Sequence, residues 1–190
     1  GVNFIKAENL SGSKYLDPAN FSHITHETNE RLERSKLAVN DLLISIAGYL
    51  GETAIVQEKD LPGNTNQAVG IVRLDLKKVD VEYIYYYFQQ KQIIRYIENL
   101  SSQSAQPNLN LSLLGNLEFD LRPLSIQQSI SATLSTLDTK IELNNKICSE
   151  LESLAQDLYH YWFTQFDFPD EYGKPYRSSG GEMVWSNELG

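Results

Sequence analysis

Cysteine is almost absent from the 190-residue sequence, in which Cys148 stands alone. A single thiol excludes a disulfide framework within the chain and a zinc site built from cysteines, and it is typical of proteins from reducing compartments. The sequence also lacks a signal-peptide-like apolar run at its N-terminus and any uncharged apolar stretch long enough to span a membrane. We therefore expect a cytoplasmic protein without a membrane segment.

Sequence signatures of catalysis are missing as well, since there is no glycine-rich phosphate loop, no dinucleotide fingerprint and no GxSxG motif. His23, His26 and Glu27 could supply two imidazoles and a carboxylate to a metal. No cysteine or further histidine completes that set, so solvated turn residues are the favoured interpretation. We predict a non-catalytic protein without a metal or cofactor site.

Positive charge is in short supply, because 16 basic residues face 25 acidic ones and the net charge is −9. Duplex DNA normally binds a basic surface, so this balance argues against a nucleic-acid partner. The imbalance is uneven along the chain. Residues 1–122 carry 12 basic and 15 acidic residues, whereas residues 123–190 carry 4 and 10. One face of the N-terminal part can therefore still be basic, and DNA binding stays open.

Residues 1–122 show a mixture of strand and helix patterns. Apolar runs bounded by glycine or polar turn residues predict strands over 39–46, 53–56 and 68–74, with a short strand over 117–121. The polar cluster at 61–66 predicts a turn. Helical spacing appears over 81–100. We expect an α+β fold in which residues 1–122 form a mixed α/β domain.

The predicted helix over 81–100 contains a cluster of tyrosines with two possible roles, Tyr83, Tyr85, Tyr86 and Tyr87. Exposed aromatic rings could stack on nucleic-acid bases. Helical spacing by itself accounts for one buried face of a helix, which is the favoured interpretation.

The clearest periodic pattern follows Pro123. Ten positions alternate spacings of 4 and 3, and nine of them are apolar or cysteine: Ile130, Leu134, Leu137, Ile141, Asn144, Cys148, Leu151, Ala155, Leu158 and Trp162. We call these ten residues the seam. They predict a coiled-coil arm over 123–165, on the order of 50 Å long at ~1.5 Å per residue. Such a helix needs a second long helix to cover the seam. Prolines and glycines beyond Phe166 predict an irregular linker or tail over 166–190.

Asn144 is the polar member of the seam, and two interpretations remain open. A buried asparagine costs stability but fixes the register and the number of partners in a coiled coil. Alternatively, Asn144 lies at a solvated edge of the seam. The sequence favours neither.

Several segments together resemble the specificity (S) subunits of type I restriction-modification enzymes. Residues 123–130, 134–147, 151–152 and 161–163 resemble the helical region of that family. Segments 36–37, 40–45, 48–51, 53–56 and 104–109 resemble its target-recognition domain. The matching segments occur in the same order and with similar spacing.

This resemblance implies that the protein binds double-stranded DNA and performs no bond chemistry. Subunits of this family read a split DNA site, and their helices set the spacing and dock the methyltransferase (M) subunits, which connect them to the restriction (R) subunits. The family typically carries two recognition domains and two helical regions, whereas this chain has one of each. We therefore expect a half-length subunit or a fragment. It would pair through the seam with itself or with another S half, and in a self-pair two-fold symmetry would make the target palindromic.

Three polar loops, 48–51, 63–67 and 101–108, are the candidates for reading bases, because amides and hydroxyls pair with base edges. Their candidate residues are Tyr49, Asn64, Asn66, Gln67, Gln103, Ser104, Gln106 and Asn108. Cations suited to phosphate contacts are Lys6, Arg34, Lys36 and Arg73. For any single position, a hydrogen-bonded loop residue without a ligand is the simpler interpretation.

A competing interpretation is an acidic coiled-coil adaptor that binds proteins and no DNA. The net charge of −9 favours it, whereas the order of family-like segments opposes it. A small methyltransferase is a third interpretation, but the sequence has no glycine-rich cofactor loop.

Overall fold

The computed structural model describes residues 1–10, 12–48, 50–101, 115–117, 119 and 121–187. The backbone divides into two compact units, residues 1–134 and 135–190. Among the described residues, no helix is both long and apolar enough to cross a membrane.

Two three-stranded sheets form the first unit. In the first sheet, β1 (Val2–Ile5) lies between β2 (Ser22–Ile24), which is antiparallel to it, and β5 (Gly63–Thr65), which is parallel. In the second, β3 (Leu42–Ser45) lies between β4 (Thr53–Ile55) and β6 (Val69–Val72), and both pairings are antiparallel. The strands expected within 39–46, 53–56 and 68–74 are confirmed.

Strand β3 is buried on both faces, which explains its continuous apolar run. Side chains alternate along a strand, so Leu43 enters one core cluster with Ile5 and Leu16. Leu42 and Ile44 enter a second cluster on the opposite face. A strand covered on both sides reads as uninterrupted hydrophobic sequence, and the second sheet is therefore the central layer of this unit.

The turn expected over 61–66 is wrong for its central residues, because β5 occupies Gly63–Thr65 and pairs with β1. Only a residue without a side chain fits at Gly63, since a Cβ there would lie 2.9 Å from the carbonyl oxygen of Asp60. The Thr65 hydroxyl donates to the carbonyl oxygen of Ile5 at 2.8 Å and joins the two strands further. The local sequence GNT is too short and too polar to signal a strand.

Helices cover the second core cluster. Helix α1 (His26–Arg31) precedes the central sheet in sequence, while α2 (Val81–Phe88) and α3 (Lys91–Ser101) follow it. The single helix expected over 81–100 is thus two helices, separated at residues 89–90. Tyr85 is buried, and Tyr83 and Tyr86 pack against the second core cluster. The tyrosine cluster is therefore part of a core-facing helix, as the favoured interpretation stated.

The strand expected over 117–121 falls partly on residues outside the described ranges. Of the residues that are described there, Leu117, Phe119 and Leu121 belong to no strand. Leu117 and Phe119 pack against the second core cluster, and the Phe119 ring meets Tyr87 edge-on at 5.3 Å between centroids.

Helix α4 (Leu124–Tyr159) has 36 residues, and a five-residue π-helix, His160–Thr164, follows it directly. The long helix expected after Pro123 is confirmed, and its length is about 54 Å at ~1.5 Å per residue. It begins in the first unit and ends in the second.

Between Thr164 and Asn187 the chain forms turns over residues 171–174 and 176–180, and an isolated bridge joins Pro169 to Pro175. The Asp167 carboxylate accepts hydrogen bonds from the Ser178 backbone N–H at 2.7 Å and from its hydroxyl at 2.6 Å. These bonds hold the pKa of Asp167 below its ordinary value, with the hydroxyl contributing most. The Phe168 and Tyr176 rings stack at 4.9 Å between centroids.

Candidate nucleic-acid interface

A groove of about 550 Å³ opens on the first unit where β1, the segment after α1 and the β5–β6 connection meet. We call it the β5–β6 groove. Its lining residues are Phe4, Leu32, Arg34, Ser35, Ile46, Thr65, Asn66, Gln67, Val69, Gly70 and Ile71. Apolar side chains thus occur beside a cation, two hydroxyls and two amides. Three residues predicted from sequence to contact DNA, Arg34, Asn66 and Gln67, line this one groove, although Arg34 is more than 30 positions from the other two in sequence.

The β5–β6 connection presents its two amides through a tight turn. The Asn66 Oδ1 accepts the backbone N–H of Ala68 at 3.2 Å, and the Asn66 carbonyl accepts that of Val69 at 3.2 Å. Asparagine favours such turns because its side chain imitates a backbone acceptor. Gln67, in the middle of the turn, is exposed, so its carboxamide can form two hydrogen bonds to a ligand.

Arg34 reaches the groove from the short 3₁₀ turn Glu33–Ser35 that follows α1. Its side chain is exposed, and among the described residues no acidic side chain forms an ion pair with it. An arginine without a partner keeps all five of its N–H donors for a ligand. Arg34 is therefore well suited to bind a phosphate or a guanine edge.

The other three predicted cations each have an acidic neighbour. The Arg73 Nε lies 3.0 Å from Oδ1 of Asp41, whose side chain is only 4% exposed. Lys36 Nζ lies 2.8 Å from Glu30 Oε2, and Lys6 Nζ lies 3.6 Å from Oε1 of Glu8. The buried Asp41 carboxylate needs its arginine, since a buried charge without a partner is costly. Arg73 is the weakest of the four candidates for a phosphate contact.

Asn64 does not fit the role predicted for it. Its side chain is 0% exposed, and its Nδ2 donates to Oδ1 of Asn29 at 2.8 Å and to the carbonyl of Leu32 at 3.1 Å. Its Oδ1 accepts the N–H of Thr65 at 2.8 Å. Asn64 therefore holds β5 against the segment after α1, behind the groove. Five other predicted residues lie outside the described ranges: Tyr49, Gln103, Ser104, Gln106 and Asn108.

The apolar lining of the groove was not predicted from sequence. Phe4 belongs to β1, whose four residues are too few to show an alternating pattern. Leu32, Ile46 and Ile71 lie far apart in the chain and meet only because the two sheets pack together.

The seam is a second candidate surface, and it follows α4 into the π-helix. Eight seam residues are exposed: Ile130, Leu137, Ile141, Asn144, Cys148, Leu151, Ala155 and Leu158. Leu134 and Trp162 are half-buried. Leu151, near the middle, is 58% exposed. Contiguous apolar surface of this length marks an interaction site in a folded protein.

No group of three or more histidine, cysteine, aspartate or glutamate side chains is placed to hold a metal ion within the part of the chain that the structure describes. His23 lies in β2 and His26 begins α1.

Comparison with known proteins gives the same family throughout. The sequence profile described as "Type I restriction modification DNA specificity domain" matches residues 1–153. The specificity subunit of the type I restriction enzyme MjaIX from Methanocaldococcus jannaschii is 31% identical over 149 residues, covering 78% of this chain and 31% of that subunit. The EcoBI specificity subunit of Escherichia coli is 25% identical over 162 residues, covering 83% and 34%. This chain spans about a third of the length of these curated relatives.

The fold has a counterpart among solved structures. The crystal structure of the HsdS subunit from Thermoanaerobacter tengcongensis aligns with a TM-score of 0.60 at 14% identity, covering 96% of this chain and 44% of that one. At this identity the likeness shows a shared fold of mixed sheets and a long helix. Because the profile match covers most of the sequence, the chain belongs to the family of type I restriction-modification DNA specificity domains.

Proposed function

We propose that this protein is a DNA sequence-specificity subunit that reads one half of a split target with the β5–β6 groove. The observation that carries this proposal is the convergence of Arg34, Asn66 and Gln67 on one groove. Asparagine and glutamine pair bidentately with adenine, and arginine pairs with guanine or with phosphate. The family membership supports the same role.

The apolar part of the groove suits DNA as well as the polar part does. Thymine exposes a methyl group in the major groove, and apolar side chains contact it favourably. Ile46 and Ile71 line the groove beside Gln67, so a thymine methyl and an adenine amide edge could be bound side by side. The DNA sequence would then be recognised both by the fit of the thymine methyl against the apolar side chains and by hydrogen bonds to the adenine.

We propose that the seam pairs two recognition domains. Eight exposed positions at heptad spacing fit another helix of similar length. Self-pairing by a two-fold axis would place two identical grooves on one DNA duplex, and the target would be palindromic with a fixed gap. Pairing with another S half is the alternative outcome.

We also propose that the arm docks the M subunits and, through them, the R subunits. A chain from a structure described as showing complex assembly and conformational transition of the type I R-M system aligns with a TM-score of 0.54 at 18% identity. Methylation and cleavage would belong to those partners, so this chain would need no cofactor of its own. It would act where the DNA is, in the cytoplasm.

The test begins by selecting bound duplexes from a random-sequence library with the purified chain. Affinity for the selected duplex is then measured over a series of salt concentrations. Phosphate contacts give log affinity a negative slope of about 0.9 per contact against log salt. We expect Arg34→Ala to weaken binding and to make that slope shallower by about one contact. Arg31→Ala changes an exposed arginine of α1 that does not line the groove and is the matched control.

The competing function is a protein adaptor without DNA binding, which the net charge of −9 favours. It predicts that no sequence is enriched from the library and that any residual binding is lost equally in both arginine variants.

A further inference from the structure

Gln127 lies in the first turn of α4, and its exposed fraction is 0% although it is a polar residue. Its Oε1 accepts the backbone N–H of Asp80 at 3.0 Å. Its Nε2 donates to the carbonyl oxygens of Lys78 at 3.1 Å and Arg122 at 2.7 Å. Both amide protons are therefore used, and the carboxamide joins three chain segments at one point.

One partner of Gln127 begins a helix that is anchored in the core of the first unit. Asp80 is the N-cap residue of α2, because its carboxylate accepts the N–H of Tyr83 at 2.8 Å. Helix α2 is anchored in turn by Ile84 and Phe88, which are buried in the second core cluster. Gln127 thus binds the first turn of α4 to the start of a core helix.

The next turn of α4 continues the same contact face. Ser131 is buried, and its hydroxyl donates to the carbonyl oxygen of Gln128 at 3.2 Å. Gln127 and Ser131 are four residues apart and lie on one face of the helix. Gln127 is three residues before Ile130 and seven before Leu134, so the attachment to the domain lies at the base of α4 on the line that the seam continues.

We propose that Gln127 is a positioning residue that fixes the direction of α4 at its base and so sets the gap between the two DNA half-sites. The inference rests on the proposed function, in which paired arms hold two recognition domains. Tilting the first turn would break a buried hydrogen bond, which is costly because the freed group cannot reach water. An angular change of ~10° moves a point ~50 Å along a helix by ~9 Å. That displacement exceeds two base-pair steps of ~3.4 Å.

The first test needs no DNA. Nitroxide labels are placed on cysteines introduced at the exposed residues Lys59 and Thr133, both in the first unit, in a Cys148→Ser background. Electron–electron distance distributions are measured with labelled chains diluted into unlabelled ones. We expect a narrow distribution for the parent protein and a broader one for Gln127→Ala. Gln128→Ala changes the exposed neighbouring glutamine and should leave the width unchanged.

A second variant distinguishes loss of the Gln127 hydrogen bonds from loss of the fold. Gln127→Met keeps nearly the same side-chain volume and removes all three hydrogen bonds. Its thermal unfolding shows whether the domain remains folded, and a folded variant should broaden the distance distribution as the alanine variant does. A width equal to that of the parent in a folded Gln127→Met protein would overturn the proposal.

The second test uses duplexes with two selected half-sites in inverted orientation, whose gap is varied one base pair at a time. We expect the parent to prefer one gap and Gln127→Met to lose about tenfold of that preference, the equivalent of roughly one buried hydrogen bond. Affinity for a single half-site should stay as in the parent. An unchanged gap preference in Gln127→Met would overturn the positioning role of Gln127. A parent that binds no duplex would overturn the DNA-reading function, and the label distances would still decide the role of Gln127.

Discussion

Leucines in residues 1–134 and in residues 135–190 have different surroundings. Leu42 and Leu43 of β3 are fully buried, whereas Leu137, Leu151 and Leu154 of α4 are more than half exposed. The first unit covers its apolar residues with its own helices and sheets. The second unit leaves them on the surface of one long helix. The comparison shows that similar apolar content stabilises one unit from within and makes the other a surface for binding.

The largest expected effect comes from making the same substitution in both units. We expect Leu43→Ala to lower the free energy of unfolding by about 2–5 kcal/mol, as large-to-small changes in a packed core do. That loss should be the same at every protein concentration. Leu151→Ala should destabilise only by weakening pairing, so its effect should shrink on dilution. Urea unfolding at high and low protein concentration measures both. Equal effects of dilution on the two variants would remove the contrast between the units.

The second prediction concerns pairing specificity within α4. Leu151 belongs to the seam and Leu143 does not, yet their exposed fractions are 58% and 56%. We expect Leu151→Asp to raise the dissociation constant of self-pairing by about a hundredfold or more, because two buried leucines are lost per pair. Leu143→Asp is the matched control and should change it little. Sedimentation equilibrium supplies both constants. A stronger effect at Leu143 would place the pairing surface on another face.

The third prediction contrasts the side-chain amides of Asn64 and Gln67, which are three positions apart. Asn64→Ala removes a buried hydrogen-bonded side chain and should cost about 1–3 kcal/mol of stability. Gln67→Ala changes an exposed side chain and should leave stability within about 0.5 kcal/mol, while weakening sequence-specific binding by about 1–3 kcal/mol. Thermal unfolding and DNA titration are measured on both variants. Gln92→Ala changes an exposed glutamine of α3 and is the control for the DNA titration. Unchanged affinity in Gln67→Ala would remove that residue from the reading surface.

The fourth prediction tests the polar position of the seam. We expect Asn144→Leu to raise the midpoint of thermal unfolding of the paired protein, since an amide no longer has to be buried. The same change should permit more than one oligomeric size, which sedimentation velocity would resolve. A variant that keeps a single size would show that Asn144 does not fix the register.

The smallest effect is expected in the tail. The Ser178 hydroxyl and backbone N–H hold the pKa of Asp167 below its ordinary value of 3.8. A carboxyl group with a lowered folded-state pKa stabilises the fold above its unfolded value, and that contribution is lost as the pH falls through the folded-state pKa. We expect the Ser178 amide resonance to titrate with a midpoint below 3.8 in the parent and to lose this titration in Asp167→Asn. Glu171→Gln, an exposed neighbour, should leave it in place.

Elements with strong local patterns could be predicted from the sequence. Strand β3 has an unbroken apolar run because both of its faces are covered, and α4 repeats apolar residues at heptad spacing over several turns. Both signals lie within a short stretch of chain. Strands β1, β2 and β5 have three or four residues each and carry no such signal.

Buried polar residues could not be predicted, because their partners are distant in sequence. Asn64 meets Asn29 across 35 positions, and Gln127 meets Asp80 across 47. Each looks like a surface amide until the fold supplies its partners. The same reason explains why Asn64 was expected to contact DNA. Gln67, only three residues further on, is exposed and lines the groove.

The molar mass of the purified chain by light scattering, over a range of concentrations, tests most directly whether the exposed seam is a self-pairing surface. Self-pairing predicts twice the chain mass of 21.6 kDa, with dissociation only on dilution. A mass equal to one chain at all concentrations would contradict self-pairing and would direct the search for the partner helix to another S half or to the M subunits.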